Sequence, residues 1–79
     1  MLVHIGADKL VREENIVMIL DYEQLLASKN GALETMRETC ETVMLRGSAI
    51  RTVVMVREFG KLKVYFSPVY GKTILKRAE

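Results

Sequence analysis

Two neighbouring segments near the middle of the chain constrain its fold more than any other feature. Arg51 to Glu58 contains four consecutive apolar residues, and Lys61 to Ser67 alternates between apolar and polar side chains. Only Phe59-Gly60 separates them, which is the length of a tight β-turn. The pattern predicts a β-hairpin with one face in the core and one face open to water. The face open to water would carry Lys61, Lys63, Tyr65 and Ser67.

Three further strands are predicted before this hairpin. Leu2 to Ile5 and Lys9 to Arg12 are short apolar-rich segments on either side of a turn. Asn15 to Tyr22 follows, and its run Ile16 to Leu20 is apolar on both faces. Such a run predicts a strand that is covered on both faces, either at the centre of a sheet or at a subunit interface.

Between Glu23 and Met44 the apolar spacing changes to that of a helix. One helical stripe would contain Leu33, Met36, Cys40, Val43 and Met44. Asn30-Gly31 interrupts this region, since glycine costs a helix about 1 kcal/mol, so Glu23 to Lys29 is at most a separate helical turn. Gly71 to Ala78 predicts a short C-terminal helix.

Two apolar residues, Ile74 and Leu75, would anchor this last helix, and Lys76 and Arg77 suit its C-terminal end. The whole pattern predicts an α+β fold in a single domain, residues 1–79. The domain would have a small antiparallel-rich sheet of about five strands, one central helix and one short C-terminal helix.

The chain contains one cysteine, Cys40, and one histidine, His4. It therefore cannot form an intramolecular disulfide or a structural zinc site with about four N/S ligands. We expect no metal and no cofactor, and the lone thiol favours a reducing, cytoplasmic location. Domains below about 80 residues commonly need a disulfide, a metal or oligomerisation for stability. With the first two excluded, we expect a homo-oligomer.

Neither a membrane segment nor a catalytic group is evident. The longest apolar runs, Ile16 to Leu20 and Thr52 to Val56, are far shorter than the roughly 20 residues that cross a bilayer. His4 has no Ser, Cys or acid at a recognisable catalytic spacing, and acidic neighbours disfavour a thiolate at Cys40. We predict a binding protein that is not an enzyme and that has no small-molecule substrate.

Basic charge is concentrated in the second half of the chain. Residues 1–40 hold four basic and seven acidic residues, a net −3, whereas residues 41–79 hold eight basic and three acidic residues, a net +5. A basic patch on the hairpin and its flanks would attract the phosphates of double-stranded DNA. The alternative is that lysines on a strand only solvate an exposed face and discourage aggregation.

Several blocks of the sequence resemble the RemB branch of the bacterial extracellular-matrix regulator family, which also includes RemA. The blocks are Met1 to Gly6, Ile16 to Asp21, Val64 to Pro68 and Thr73 to Ala78. The resemblance implies a ring-forming, DNA-binding transcriptional regulator of matrix and biofilm genes. It also implies a fold similar to LytTR DNA-binding domains, with arginines presented to DNA from loops.

The family's arginine pattern is only partly present. Three of its arginine positions correspond here to Asn15, Ser48 and Ala49, and only Arg51 matches. We therefore predict DNA contacts from five residues: Arg46, Arg51, Lys72, Lys76 and Arg77. The missing arginines favour an alternative, a scaffold that binds another protein, such as a related regulator, without touching DNA.

Overall fold

The computed structural model describes residues 1–47 and 49–77, which adopt an α+β fold. The strands are β1 (Leu2–Gly6), β2 (Lys9–Arg12), β3 (Ile16–Asp21), β4 (Glu41–Met44), β5 (Thr52–Glu58) and β6 (Lys61–Ser67). The helices are α1 (Tyr22–Ala27), α2 (Ala32–Thr39) and α3 (Gly71–Arg77), and a 3-10 turn at Glu13–Asn15 precedes β3.

The strands form two sheets. β1 and β2 are an antiparallel hairpin, and the other four strands make a mixed sheet in the order β3-β5-β6-β4. β5 and β6 form the predicted hairpin, in which Thr52 pairs with Ser67 and Glu58 with Lys61. β4 runs parallel to β6, whereas β3 is antiparallel to β5. The long hairpin is therefore the centre of the mixed sheet.

Both faces of this sheet are covered, which gives the fold three layers. On one face, Val54, Val56 and Tyr65 pack with the β1–β2 hairpin and with Ile74 of α3. On the other face, Val53, Val64 and Phe66 pack with side chains of α1 and α2. The sheet therefore has a hydrophobic cluster on each face, whereas the alternating sequence predicted a hairpin with one face open to water.

The prediction that Tyr65 and Ser67 lie on a face of the hairpin open to water was wrong, because both residues are buried. The β1–β2 hairpin covers them, and the Ser67 hydroxyl donates a hydrogen bond to the carbonyl of Ile5. It also accepts one from the Val69 amide at 3.0 Å. A polar residue that satisfies its hydrogen bonds inside the protein can occupy a buried position, so alternation alone misjudged this face.

The helical prediction was confirmed for α1, α2 and the break at Asn30-Gly31, but it was wrong after Thr39. Gly31 has φ +73, a left-handed conformation that suits glycine. Cys40 is extended, and Glu41–Met44 forms the sixth strand instead of a last helical turn. Pairing with the open edge of β6 satisfies the backbone of this segment, so a tertiary contact overrides the helical spacing.

Two other predictions need correction. β3 is an edge strand, so its predicted placement at the centre of a sheet was wrong, whereas its placement at a subunit interface remains a prediction. Val17 occupies a β-bulge where the register against β5 shifts. Val17 and Met18 are consequently exposed. In α3, Ile74 is fully buried as predicted, whereas Leu75 is 56% exposed and does not anchor the helix. Ala78, the predicted end of that helix, lies outside the described residues.

One glycine fixes the loop between β4 and β5. A Cβ atom on Gly47 would lie 2.2 Å from Cβ of Pro68, so only glycine allows this close approach at the end of β6.

Among the described residues, no helix has the length and apolar character needed to cross a membrane.

Candidate nucleic-acid interface

Arg51, Tyr70 and Lys72 line one shallow cleft of about 250 Å³ at the end of the mixed sheet where β5 begins. The guanidinium of Arg51 stacks 4.9 Å from the centre of the Tyr70 ring. Lys72 lies in the first turn of α3 and is exposed. The structure thus brings together two of the five predicted DNA-contacting residues, with an aromatic ring beside them.

Backbone hydrogen bonds hold this cleft in place. The Arg51 amide donates to the Ser67 carbonyl at 2.8 Å, and the Arg51 carbonyl accepts from the Tyr22 amide at 3.2 Å. The Thr52 hydroxyl donates to the Val69 carbonyl at 2.7 Å, which ties the residue before Tyr70 to β5. Both stacked side chains therefore extend from anchored backbone.

Lys76 extends the same basic surface along α3. It lies four residues after Lys72, so the two lysines share a face of the helix, opposite the buried side of Ile74. We call Arg51, Lys72 and Lys76 the basic triad. Among residues 1–47 and 49–77, no carboxylate forms an ion pair with any member of this triad. Within the part of the chain that the structure describes, no acid neutralises these three charges, and they can meet an external anion.

The other two predicted contacts occupy different environments. Arg77 reaches across to β1, where its Nη1 donates to the His4 carbonyl at 2.9 Å and lies 3.3 Å from His4 Nδ1. This arginine joins α3 to β1. Arg46 is exposed after β4 and lines clefts beside the β1–β2 turn and the β4–β5 loop, apart from the cleft that contains Arg51.

Basic residues at the opposite end of the hairpin include two lysines that are already paired. Glu58 lies 3.4 Å from Lys9 and 3.7 Å from Lys63, and it accepts a hydrogen bond from the Tyr65 hydroxyl at 2.7 Å. Lys63 also lies 4.0 Å from Glu41. These lysines neutralise acids of the chain and contribute less to the basic patch than their number suggests.

The pKa values in this cluster follow from the same contacts. Burial favours the protonated form of Glu58, but the Tyr65 hydroxyl and the charges of Lys9 and Lys63 outweigh it and lower its pKa. The nearby Tyr65 side chain and the charge of Glu58 raise the pKa of Lys9 despite partial burial. Burial and the hydrogen bond to Glu58 raise the pKa of Tyr65.

Arg57 and Lys61 remain exposed near the hairpin turn. Arg57 lies six positions after Arg51 along extended chain, which corresponds to roughly 20 Å. The predicted patch therefore divides between the two ends of the sheet, and the basic triad is its larger group without an ion pair among residues 1–47 and 49–77.

Phe59 is a surface feature that sequence reasoning treated only as a turn. Its side chain is 98% exposed, and its φ is +51 in a two-residue turn whose second residue, Gly60, has φ +77. Beside it lies a groove of about 610 Å³, lined in part by Leu2, Leu10 and Val11. The signal was present in the sequence, because a type I′ turn favours Asn-Gly and a Phe-Gly pair departs from that preference.

Asn15, Ser48 and Ala49 stand where the extracellular-matrix regulators have arginines, and they occupy different parts of the chain. Asn15 ends the 3-10 turn before β3 and lines the groove beside Phe59, and Ala49 is exposed in the β4–β5 loop. Ser48 lies outside the described residues.

No protein-family model, no curated protein and no solved structure matches this chain.

Proposed function

We propose that the protein is a homo-oligomeric transcriptional regulator that binds double-stranded DNA through the basic triad. The observation that carries this proposal is the grouping of Arg51, Lys72 and Lys76 on one surface, with no acid of the described chain paired to them. The resemblance to the extracellular-matrix regulators supports a role in matrix and biofilm gene expression.

Phosphate contact explains why such a surface would bind duplex DNA. Each cation that neutralises a phosphate releases condensed counterions, so affinity falls steeply as salt rises. Arg51 offers a planar fork of donors held in place by the Tyr70 ring, and the two lysines offer mobile point charges. Three contacts from one subunit give weak, sequence-independent binding.

Self-association would convert these weak contacts into useful affinity. Several triads on one particle act at a high effective concentration, which can raise the overall affinity about 10²-fold or more. Phe59 is the best candidate for a subunit contact, because its exposed ring gains no packing within the subunit and its left-handed backbone costs roughly 1 kcal/mol. The groove beside it and the exposed edge of β3 offer apolar surface to a second copy.

The decisive experiment compares two arginine variants in duplex binding at about 50 and 200 mM salt. Arg51→Ala should weaken binding several-fold and reduce the slope of log affinity against log salt by about one. Arg57→Ala is the matched control, because it removes the same charge from the far end of β5, the strand that Arg51 precedes. A salt-independent affinity, or equal effects of the two variants, would show that the triad is not the DNA-binding surface.

A second candidate function is a protein scaffold that binds a related regulator and does not touch DNA. The exposed Phe59 and the exposed apolar residues Val17 and Met18 of β3 favour it, because they suit a protein partner. Affinity capture with and without nuclease separates the two functions. A partner retained after nuclease treatment, together with absent duplex binding by the purified protein, would favour the scaffold.

A further inference from the structure

The cleft that holds Arg51 and Lys72 has features that a phosphate-binding surface does not need. Its walls include the ring of Tyr70 and the apolar side chains of Ile19 and Leu75. Tyr70 and Leu75 are both more than half exposed. An extended phosphate backbone would use the cations and leave this apolar, aromatic part of the cleft empty.

Tyr70 forms a stacking platform. Arg51 packs at 4.9 Å from the ring centre, and the side chain remains 55% exposed. Since every nucleobase has a π-face, an exposed tyrosine next to cations is the arrangement that single-strand-binding proteins use to hold bases. Arg51 also orients the ring, so a base that stacks there meets a preorganised surface.

A carboxylate completes the polar groups of the cleft. Asp21 lines it, and its Oδ1 accepts hydrogen bonds from the Glu23 and Gln24 amides at 2.9 and 3.4 Å. Within the described chain, no donor is bonded to its Oδ2. That oxygen can accept a hydrogen bond from a sugar hydroxyl or from an exocyclic amine of a base.

The volume of the cleft limits the size of its ligand. At about 250 Å³ it is just below the range of about 300–1,000 Å³ that is typical of small-molecule sites. It suits a single base with one phosphate, part of which remains in solvent.

We infer that this cleft binds one nucleoside phosphate, with the unpaired base on Tyr70 and the phosphate between Arg51 and Lys72. The ligand is bound and not converted. The inference shares two cations with the proposed function and rests on it to that extent. It also needs the exposed ring of Tyr70 as a stacking surface for a base, whereas the duplex interface uses that ring only to hold Arg51. The nucleotide can come from solution or from single-stranded nucleic acid.

Calorimetric titration of the full chain with adenosine monophosphate, adenosine and inorganic phosphate tests this inference. The monophosphate should bind about tenfold or more tightly than either fragment, because stacking and phosphate contact act together. Tyr70→Ala should remove this preference for the monophosphate over phosphate, and Tyr70→Phe should retain it. Equal binding of monophosphate and phosphate, or an unaffected Tyr70→Ala variant, would overturn the inference.

A short single-stranded oligodeoxyadenylate distinguishes the two sources of the nucleotide. Tighter binding of the oligonucleotide than of the monophosphate assigns the site to single-stranded nucleic acid, and equal binding assigns it to a free nucleotide. Lys76→Ala is the control, since this lysine is outside the cleft lining and should matter only for the duplex. Monophosphate binding without duplex binding would defeat the proposed function alone, and the reverse result would defeat this inference alone.

Discussion

Glu58 shows how a single residue can unite three parts of the fold. Its carboxylate contacts Lys9 of β2, Lys63 of β6 and the hydroxyl of Tyr65, although it belongs to β5. The side chain is 15% exposed, so these interactions are only partly screened by solvent. Tyr65 can be buried because its hydroxyl has this acceptor.

The lowered pKa of Glu58 predicts how stability depends on acid. Because its folded pKa is below the ordinary value of 4.5, the carboxylate stabilises the fold fully above that value. The stabilisation is lost as pH falls through the folded pKa. Glu58→Gln should cost about 1 kcal/mol at neutral pH and flatten the stability profile below pH 4.5, measured by urea unfolding across pH.

Glu41→Gln provides the control for this prediction. Glu41 is 62% exposed and meets Lys63 only at 4.0 Å, so its replacement should leave both the neutral stability and the acid profile nearly unchanged. Identical profiles for the two variants and the parent chain would contradict a stabilising role for the Glu58 cluster.

The contacts of Glu58 could not be predicted from the sequence. Lys9 and Glu58 are far apart in the chain, and no local spacing indicates that they meet. Arg51, in contrast, was predicted as the first residue of the strand that begins at Thr52 in the structure, an error of one residue, because its position depends on the local hairpin pattern. Its stacking on Tyr70 depends on how α3 docks, which the sequence does not reveal.

Among the elements, α3 links the core to the proposed DNA-binding surface. Ile74 is fully buried and Leu75 is 56% exposed, although they are adjacent apolar residues. Ile74→Ala should destabilise the fold by about 2–5 kcal/mol, and Leu75→Ala should change stability by less than about 0.5 kcal/mol. Urea unfolding midpoints test this, and equal midpoints for the two variants would show that α3 does not dock as described.

The last two described residues of α3 predict a second contrast. Lys76→Ala should lower the salt slope of duplex binding by about one, because this lysine has no carboxylate partner in the described chain. Arg77→Ala should instead reduce stability and leave the slope unchanged, since its guanidinium is bonded to β1. Salt titrations and unfolding curves on both variants test this, and a reversed result would place Arg77 at the DNA.

Sequence patterns predicted five of the six strands, the central helix and the C-terminal helix, whereas α1 was predicted only as a separate helical turn and the division of the strands into two sheets was not predicted. The missed strand, β4, is only four residues long and closely follows a helix whose apolar spacing continues into it. Its identity depends on parallel pairing with β6, a contact between segments that are remote in sequence. The spacing of apolar residues within this segment could not distinguish a last helical turn from a strand, because Val43 lies on an apolar face in both.

Across the whole molecule, the exposed ring of Phe59 and the basic triad lie at different ends of the mixed sheet. Phe59 and its groove lie at the hairpin turn, whereas the basic triad lies where β5 begins. A subunit contact at Phe59 would therefore leave the triad accessible. This separation allows assembly and anion binding to be tested independently.

Phe59→Asn tests the link between assembly and affinity. Asn-Gly suits a type I′ turn better than Phe-Gly, so the variant should unfold at an equal or higher urea concentration. It should nevertheless shift the solution mass towards the monomer and weaken duplex binding about 10²-fold, because avidity is lost while each triad is intact. Mass is measured by light scattering and affinity by titration at fixed salt.

Leu26→Gln is the matched control, because Leu26 is another exposed apolar side chain, located on α1 and away from the groove. It should change neither the mass nor the affinity. If Phe59→Asn kept the parental mass, the hairpin turn would not be the subunit contact. If the mass fell and duplex affinity did not, the DNA would be held by single subunits, and repetition of the basic triad would be irrelevant to binding.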